Sequence, residues 1–509
     1  MLSLPRQARV LEQFRPAFTA PTYQRFLVLC VGAIVTMGRR SVSRILWSVR
    51  CLLRGHPSSY HRFFSHARWS LWPLAKVLAA LVLELVPKDQ PVLVLADDTV
   101  DQHRGDHVYG KGCHRDAVRS SWSHTVFKFG HKWVTLAVSV RLPLCTRPWA
   151  LPVLAALYLA LPKEQPQAAT DPAGATASKA KKNKAKKNTA KKKKGDKKKG
   201  NKTSGGKKQR LLPELRKRDE SGVLPPRHKT PALLARQMIA VLMHWFPDRQ
   251  FILLGDWGFA SHDLALFCHR HRRRLKLVAR TRSDMNLYAL PPKRRPGRRG
   301  CPPRKGRKLP NPAQAVAAAT SRRHARLRWY GNSVRDLQLL GGCGGWYRHR
   351  GSGRAALIPV RWVYVQDPTS GREDFFYTTD PSLRPEQIVE LFAGRWAIEV
   401  TFEEARAHLG FETTRHWCKN SVLRVAPCLL GLFTVVSLIY AELAGQGKIK
   451  VHGTPCYHKT DPTFADALAA VRRLLWEQVI LPHTPGGECL AKLPSPLQEM
   501  LLEHVTAAA

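Results

Sequence analysis

The sequence predicts an α/β protein, and three observations predict it. Two short apolar runs, Pro91-Val92-Leu93-Val94-Leu95-Ala96 and Phe251-Ile252-Leu253-Leu254, have the length and composition of buried strands. Each runs straight into acid, Asp97-Asp98 in the first case and Gly255-Asp256 in the second. The second run is followed by a helical pattern over 261–271 and a further apolar run over 275–279, a β–α–β succession. The third observation is a long amphipathic stretch near the C-terminal end, 385–409, where Ile398, Phe402, Ala405 and Leu409 recur at i, i+4, i+7 and i+11. That stripe predicts one long helix with an apolar side. Arg395, Glu399 and Arg406 share its polar side, so a carboxylate is held there among positive charges.

The chain order fills in around these elements. Residues 20–86 predict helices, at 26–35, 42–53 and 74–86, interrupted at Gly38 and at Gly55-His56-Pro57. Between them, His61-Arg62-Phe63-Phe64-Ser65 and Ala67-Arg68-Trp69-Ser70 interleave basic and aromatic residues. Such a pattern suits a helical DNA-binding module or a bundle with an aromatic core. Residues 132–142 predict a second strand, antiparallel to the first, and 149–161 are strand- or helix-like. Gly110-Lys111-Gly112 lacks the rest of a phosphate loop. Thr230-Pro231 opens a helix that runs to Trp245. Residues 322–380 are rich in strand patterns, at 325–330, 334–340, 358–366 and 375–378. Two stretches have no such pattern. Residues 163–210 are low in complexity and then Lys-rich, with too little apolar surface to offset chain entropy. Residues 290–312 form a Pro- and Arg-rich basic arm of a kind that enters minor grooves.

Composition narrows the class of partner. The 509 residues carry 84 Lys+Arg against 36 Asp+Glu, a net charge of +48. The tract 179–208 holds 16 lysines and one aspartate, yet the remainder stays strongly basic. A polyanion, nucleic acid first, is the expected partner. The 11 cysteines fall at irregular spacing without a Cys-x-x-Cys pair, which argues against a cysteine zinc site or a disulfide framework and suits a reducing cytosol. No signal-peptide pattern opens the chain. The apolar run 425–441 is only 17 residues long and contains Pro427 and Gly431, so a buried helix is expected there rather than a membrane span.

Asp97, Asp256 and Glu399 are the candidate chemistry. An Asp after a strand is commonly an Asx turn or a helix cap, and an Arg–Glu pair at i,i+4 is commonly a solvated surface pair. In the order strand acid, strand acid, helix acid, within a basic chain, they read differently. Three carboxylates gathered together repel, and a hard divalent cation relieves the repulsion. Oxygen-only ligands suit Mg2+ or Mn2+. Two such ions about 4 Å apart can activate an attacking oxygen and stabilise a leaving 3′ oxygen at phosphorus.

With these residues in place, the chain resembles the DDE-type transposases of bacterial insertion sequences, in the branch with a Tyr-x2-Arg-x3-Glu-x6-Lys helix. The stretches that carry the resemblance are Leu95-Ala96-Asp97-Asp98-Thr99, Gly255-Asp256-Trp257-Gly258-Phe259, and the helix around Arg395, Glu399 and Arg406, with Arg62 and Arg68 in the family's N-terminal region. The resemblance implies an α/β, RNase H-like catalytic core with a β-rich insertion and a helical N-terminal domain. It also implies metal ligation by Asp97, Asp256 and Glu399, and DNA contacts from Arg395, Arg406, Arg62 and Arg68. Phe392 stands where the signature has Tyr, and Arg406 where it has Lys. Asp98 competes with Asp97 for the first ligand position, and Glu403 with Glu399 for the third.

The expected organisation is a helical DNA-binding region over 1–88 and a first core segment over 89–282 carrying the Lys-rich insert. The basic arm and β-rich insertion follow over 283–380, the last core segment with the Glu helix over 381–445, and a C-terminal region over 446–509. The expected activity is metal-dependent cleavage at transposon ends and strand transfer into target DNA. The expected cofactor is Mg2+ or Mn2+, as two ions, and the expected partners are double-stranded DNA and a second copy of the chain, with no membrane. The expected setting is the bacterial cytoplasm at the nucleoid. The alternatives are an RNase H-like nuclease without strand transfer and an inactive DNA-binding derivative.

Overall fold

The structure is a computed structural model describing residues 3–116, 119–121, 123–160, 228–292, 303–348, 356–447, 449, 459 and 461–507. The Lys-rich tract and the centre of the basic arm lie outside the described residues. Residues 1–160 and 229–509 form one compact unit.

Four helices open the chain: α1 (Ala20–Val35), α2 (Val42–Ser48), α3 (Ser58–Ser65) and α4 (Leu71–Glu84). They start where the local chemistry allows. Ser41 and Ser70 cap α2 and α4 by accepting from Arg44 N and Trp72 N, and Pro21 sits in the first turn of α1. The aromatic residues of the 60–70 stretch turn inward. Phe63 and Trp69 stack at 5.0 Å, Phe18 packs on both, and Arg62 and Arg68 are left exposed. The stretch is therefore packed as an aromatic core with Arg62 and Arg68 on its outer surface.

The sheet that follows is mixed and has 11 strands. They are β1 (Val92–Gln102), β2 (Gly112–Arg115), β3 (Phe127–Val140), β4 (Trp149–Tyr158), β5 (Phe251–Gly255), β6 (Leu275–Arg280), β7 (Leu287–Tyr288), β8 (Arg323–Arg328), β9 (Val334–Arg348), β10 (Ala356–Gln366) and β11 (Glu373–Thr378). The order is β2-β3-β1-β5-β6-β11-β10-β9-β7, with β4 also on β3 and β8 also on β9. β1, β5 and β6 run parallel, and all other pairings are antiparallel. The strand-rich 322–380 thus extends the central sheet through β11 rather than forming a separate one.

Helix α5 (Pro231–Trp245), capped by Thr230, and α6 (His262–Arg270), capped by Ser261, flank β5. Helix α7 (Pro312–Ala318) is short. Helices α8 (Pro385–Gly394), α9 (Ala397–Leu409) and α10 (Lys419–Gly445) complete the cover. Strand alternation sorts the core into two layers. Val92, Val94 and Ala96 of β1 pack with Ile239, Leu242 and the N-terminal helices. Leu95, with Leu254 and Val278, packs against Val389, Phe392, Ile398 and Phe402 of α8 and α9.

Two expectations need correction. The first strand does not end at Asp97: β3 stays paired with β1 from Val94↔Val138 out to Gln102↔Gly130, so Asp97, Thr99 and Asp101 lie within the strand on one face. The expected single helix over 385–409 is two. At Arg395 and Trp396 the hydrogen bonds tighten from i→i−4 to i→i−3, as from Arg395 N to Phe392 O (3.0 Å) and Trp396 N to Ala393 O (3.2 Å). Helix α10 is the one described helix long and apolar enough to cross a membrane, and two-thirds of its most apolar window is buried against the rest of the chain. Past it, α11 (Phe464–Leu475) packs on α10 through Phe464, whose ring stacks on Phe433 at 4.1 Å.

Candidate active site

Asp97 faces the α8–α9 layer because it shares the strand face of Leu95. Asp256 follows the last residue of β5, and the parallel register Ala96↔Gly255 places the two aspartates side by side at neighbouring strands. Glu399 is in the first turn of α9. Asp97 and Glu399 share one guanidinium. Arg395 donates from Nη1 to Asp97 Oδ2 at 2.5 Å and from Nη2 to Glu399 Oε1 at 2.6 Å. Asp256 is the third acid whose charge acts on it. Arg395 is only 4% exposed, so this charge is held inside the protein and turned inward.

Asp97 is the acid most affected by this burial. Burial pushes its carboxyl up to about 7, and the charges of Asp98 and Glu399 add to the rise, against the pull of Arg395 and the Asp98 N–H. Asp256 Oδ1 is buried and accepts no hydrogen bond. A buried, orphaned carboxylate oxygen is costly, and here it points to a ligand. The donor set is oxygen only, anionic and partly exposed at Asp97, whose side chain is 17% accessible. Those residues suit a hard divalent cation of the Mg2+ type.

The competing residues separate. Asp98 points to the other strand face, where Lys132 Nζ pairs with it at 2.8 Å. Glu403 is exposed, one turn beyond Glu399. Arg406 is half-buried and anchored, with its Nε on Glu412 at 2.9 Å and its Nη2 on the Thr99 hydroxyl of β1. Phe392 lies in the core against Phe376, ring centroids 4.4 Å apart. Two exposed indoles flank the acids in sequence, Trp257 beside Asp256 and Trp396 beside Arg395. Arg280 lies over the Trp257 ring at 5.3 Å.

Sequence reasoning missed two features. Asp374 of β11, with a fully buried side chain, is held by Arg280 and by Arg372 (3.0 Å). Farther along β1, Asp101, His103 and His131 cluster with ligand-type atoms within 4.8 Å of one another, all three buried. Asp101-x-His103 on the continued strand was the available signal, but His131 joins them only through the β1–β3 register. Nearby, His416 is pushed down to about 4 by burial, with His103 and His61 contributing.

The fold and site are those of a mixed α/β protein with Asp97, Asp256 and Glu399 gathered near Arg395. A family model for DDE superfamily endonucleases matches residues 13–336, and the chain belongs to that family. The match includes Asp97 and Asp256, and Glu399 lies beyond it. No curated protein matches the sequence. Among solved structures, the piggyBac transposase synaptic complex with hairpin DNA is similar at 9% identity and a TM-score of 0.37, covering 98% of this chain and 80% of that one.

Proposed function

We propose that the protein is a DNA transposase of a bacterial insertion sequence, cutting the element's ends and transferring the freed 3′ ends to target DNA. The observation that carries this is that Asp97 and Glu399 share Arg395, with Asp256 beside Asp97 on the neighbouring strand, within a DDE endonuclease chain. An RNase H-like core is the fold that goes with it. In support, β4, β3, β1, β5 and β6 follow one another in that order, with β1, β5 and β6 parallel.

Asp97, Asp256 and Glu399 would hold divalent cations, which supply a nucleophilic oxygen at neutral pH and stabilise the oxyanion that leaves. The protein's own residues do the rest. Asp97 surrenders its proton as the cluster gains positive charge, since only the carboxylate is a good ligand. Arg395 keeps Asp97 and Glu399 together, and the phosphate contact expected of it would need those bonds to loosen, because the guanidinium is buried and turned inward. Lys132 holds Asp98 off the cluster. Arg406, Arg62 and Arg68 are the proposed phosphate contacts, and the net charge of +48 draws DNA to them. The region 1–88 is proposed to bind DNA, and 283–380 to be the insertion within the core. Two ends must be joined, so the active assembly is a dimer on DNA, in the bacterial cytoplasm at the nucleoid.

The test uses the DNA flanking the gene as substrate with Mg2+ and with EDTA. Nicking at inverted repeats that needs Mg2+, lost in Asp97→Ala, Asp256→Ala and Glu399→Ala while salt-dependent DNA binding persists, supports the reading. Cutting that survives these changes overturns it. Joining of the cut 3′ ends to a second plasmid separates a transposase from a nuclease that only cuts.

A further inference from the structure

We propose that Asp101, His103 and His131 form a second metal site, separate from the carboxylate triad and built for Zn2+. The three side chains are 1%, 8% and 2% exposed, so the pattern is not a solvated surface cluster. Its hydrogen bonding is incomplete in a specific way. His131 Nε2 lies 2.8 Å from the Tyr109 carbonyl, which can only accept, so Nε2 carries the proton. Nδ1 of that neutral ring is then a bare lone pair, and it faces Asp101 Oδ1 at 3.6 Å. Two acceptors face each other in a buried place, an arrangement a cation between them would turn to advantage. On the other side, His103 Nε2 lies 3.2 Å from Asp101 Oδ2, long for a charge-assisted hydrogen bond.

The two His–Asp separations, one to each carboxylate oxygen, and a spread of ligand atoms within 4.8 Å bring the three groups near the spacing of metal ligands. Zn–N and Zn–O bonds of about 2.0–2.1 Å, set tetrahedrally, place ligand atoms roughly 3.3 Å apart. Two imidazoles and one carboxylate suit Zn2+ better than Mg2+. The supporting contacts are those that metal-bound histidines require. The Tyr109 carbonyl fixes the tautomer of His131, and His131 N–H donates to Asp101 Oδ1 at 2.9 Å to hold the carboxylate. Close strand approach makes the site possible. A Cβ on Gly130 would lie 1.6 Å from the Asp101 carbonyl oxygen, so only glycine lets β3 come this near β1.

The ion's role would be structural. It would tie His103, where the chain leaves β1, to β3, and through Tyr109, whose N–H donates to Trp417 O at 2.9 Å, to the segment before α10. The strand that carries Asp97 would then be stiffened four residues beyond the triad.

The test is metal analysis and cobalt substitution on the full chain. Protein purified without chelator and exchanged into excess Mg2+ should retain about one Zn2+ per chain, in wild type and in Asp97→Ala and Glu399→Ala alike. His131→Ala and His103→Asn should retain less than about a tenth of that while keeping the wild-type far-ultraviolet circular dichroism. Co2+ added to stripped wild-type protein should give the intense visible absorption of a four-coordinate site, absent in His131→Ala. Wild-type protein that holds no zinc and gives no such absorption overturns the proposal, and the cluster is then a buried Asp–His pair. Zinc lost in Asp97→Ala but kept in His131→Ala would place the ion at the triad, and overturns it equally. None of these readouts depends on DNA cleavage.

Discussion

Asp97 on β1 and Asp374 on β11 are both strand aspartates held by arginine, and they sit in opposite electrostatic conditions. Around Asp374 two arginines, Arg280 and Arg372, meet one fully buried acid, and the charges are satisfied within the protein. Around Asp97 two acids share Arg395, one carboxylate oxygen of the adjacent Asp256 accepts nothing, and burial holds the Asp97 carboxyl up near 7. The first cluster has what it needs to hold two strands in place. The second lacks positive charge, and that deficit marks it as the place for an added cation.

The comparison breaks most decisively on activity. Asp97→Asn should reduce Mg2+-dependent cleavage more than about a thousandfold, a loss of at least ~4 kcal/mol of transition-state stabilisation, read as initial nicking rate. Its folding stability should stay within about 1 kcal/mol of wild type, because removing a poorly compensated acid costs little. Asp374→Asn should behave the other way. It leaves two cationic partners without their counter-charge and should cost about 3 kcal/mol in denaturant unfolding, with cleavage per folded molecule retained.

A pH series sharpens the same contrast. With its pKa raised by folding from the ordinary value of 3.8 to about 7, Asp97 binds its proton more tightly when folded. Metal-free protein should therefore lose stability as pH rises from about 4 to about 7. Saturating Mg2+ should flatten or reverse that slope, and Asp97→Asn should abolish it, as melting temperatures against pH would show. If Mg2+ leaves the slope unchanged, the cation is not at Asp97. The smallest effects belong to the rejected ligands. Asp98→Asn removes a partly exposed pair with Lys132 and should change stability by less than about 1 kcal/mol. Asp98→Asn and Glu403→Gln should both keep Mg2+-dependent cleavage within about threefold of wild type, since the Asp98 side chain is paired with Lys132, its backbone N–H to Asp97 is kept, and Glu403 is exposed.

What could be read from the chain alone was whatever has a period or an edge. The stripe of Ile398, Phe402, Ala405 and Leu409 is local, and all four are buried as the spacing requires. The apolar runs at 92–96 and 251–254 announced themselves by composition, and their trailing acids by position. The continuation of β1 through Asp97, Asp98 and Asp101 was illegible because those residues have poor strand propensity. What holds them extended is β3, and Asp101 meets His131 across a 30-residue separation. The Arg280–Asp374 pair joins residues 94 apart. Likewise the choice of Asp97 over Asp98 depends on which face of β1 the helix α9 covers, a tertiary fact. The tightening at Arg395 and Trp396 left the apolar period almost undisturbed, so it gave no sign in sequence.

Arg424 of α10 donates to the carbonyls of Phe64 and Ala67 at 3.0 Å and of Trp69 at 2.8 Å, and lies 4.5 Å over the Trp69 ring. Nearly three turns along the same helix, Thr434 grips the Pro152 carbonyl of β4 at 2.7 Å. A single rigid rod therefore fastens the surface that bears Arg62 and Arg68 to the sheet that bears the triad. The basic segment and the sheet are thereby kept at a set spacing by one helix, and a change in α10 reaches both at once.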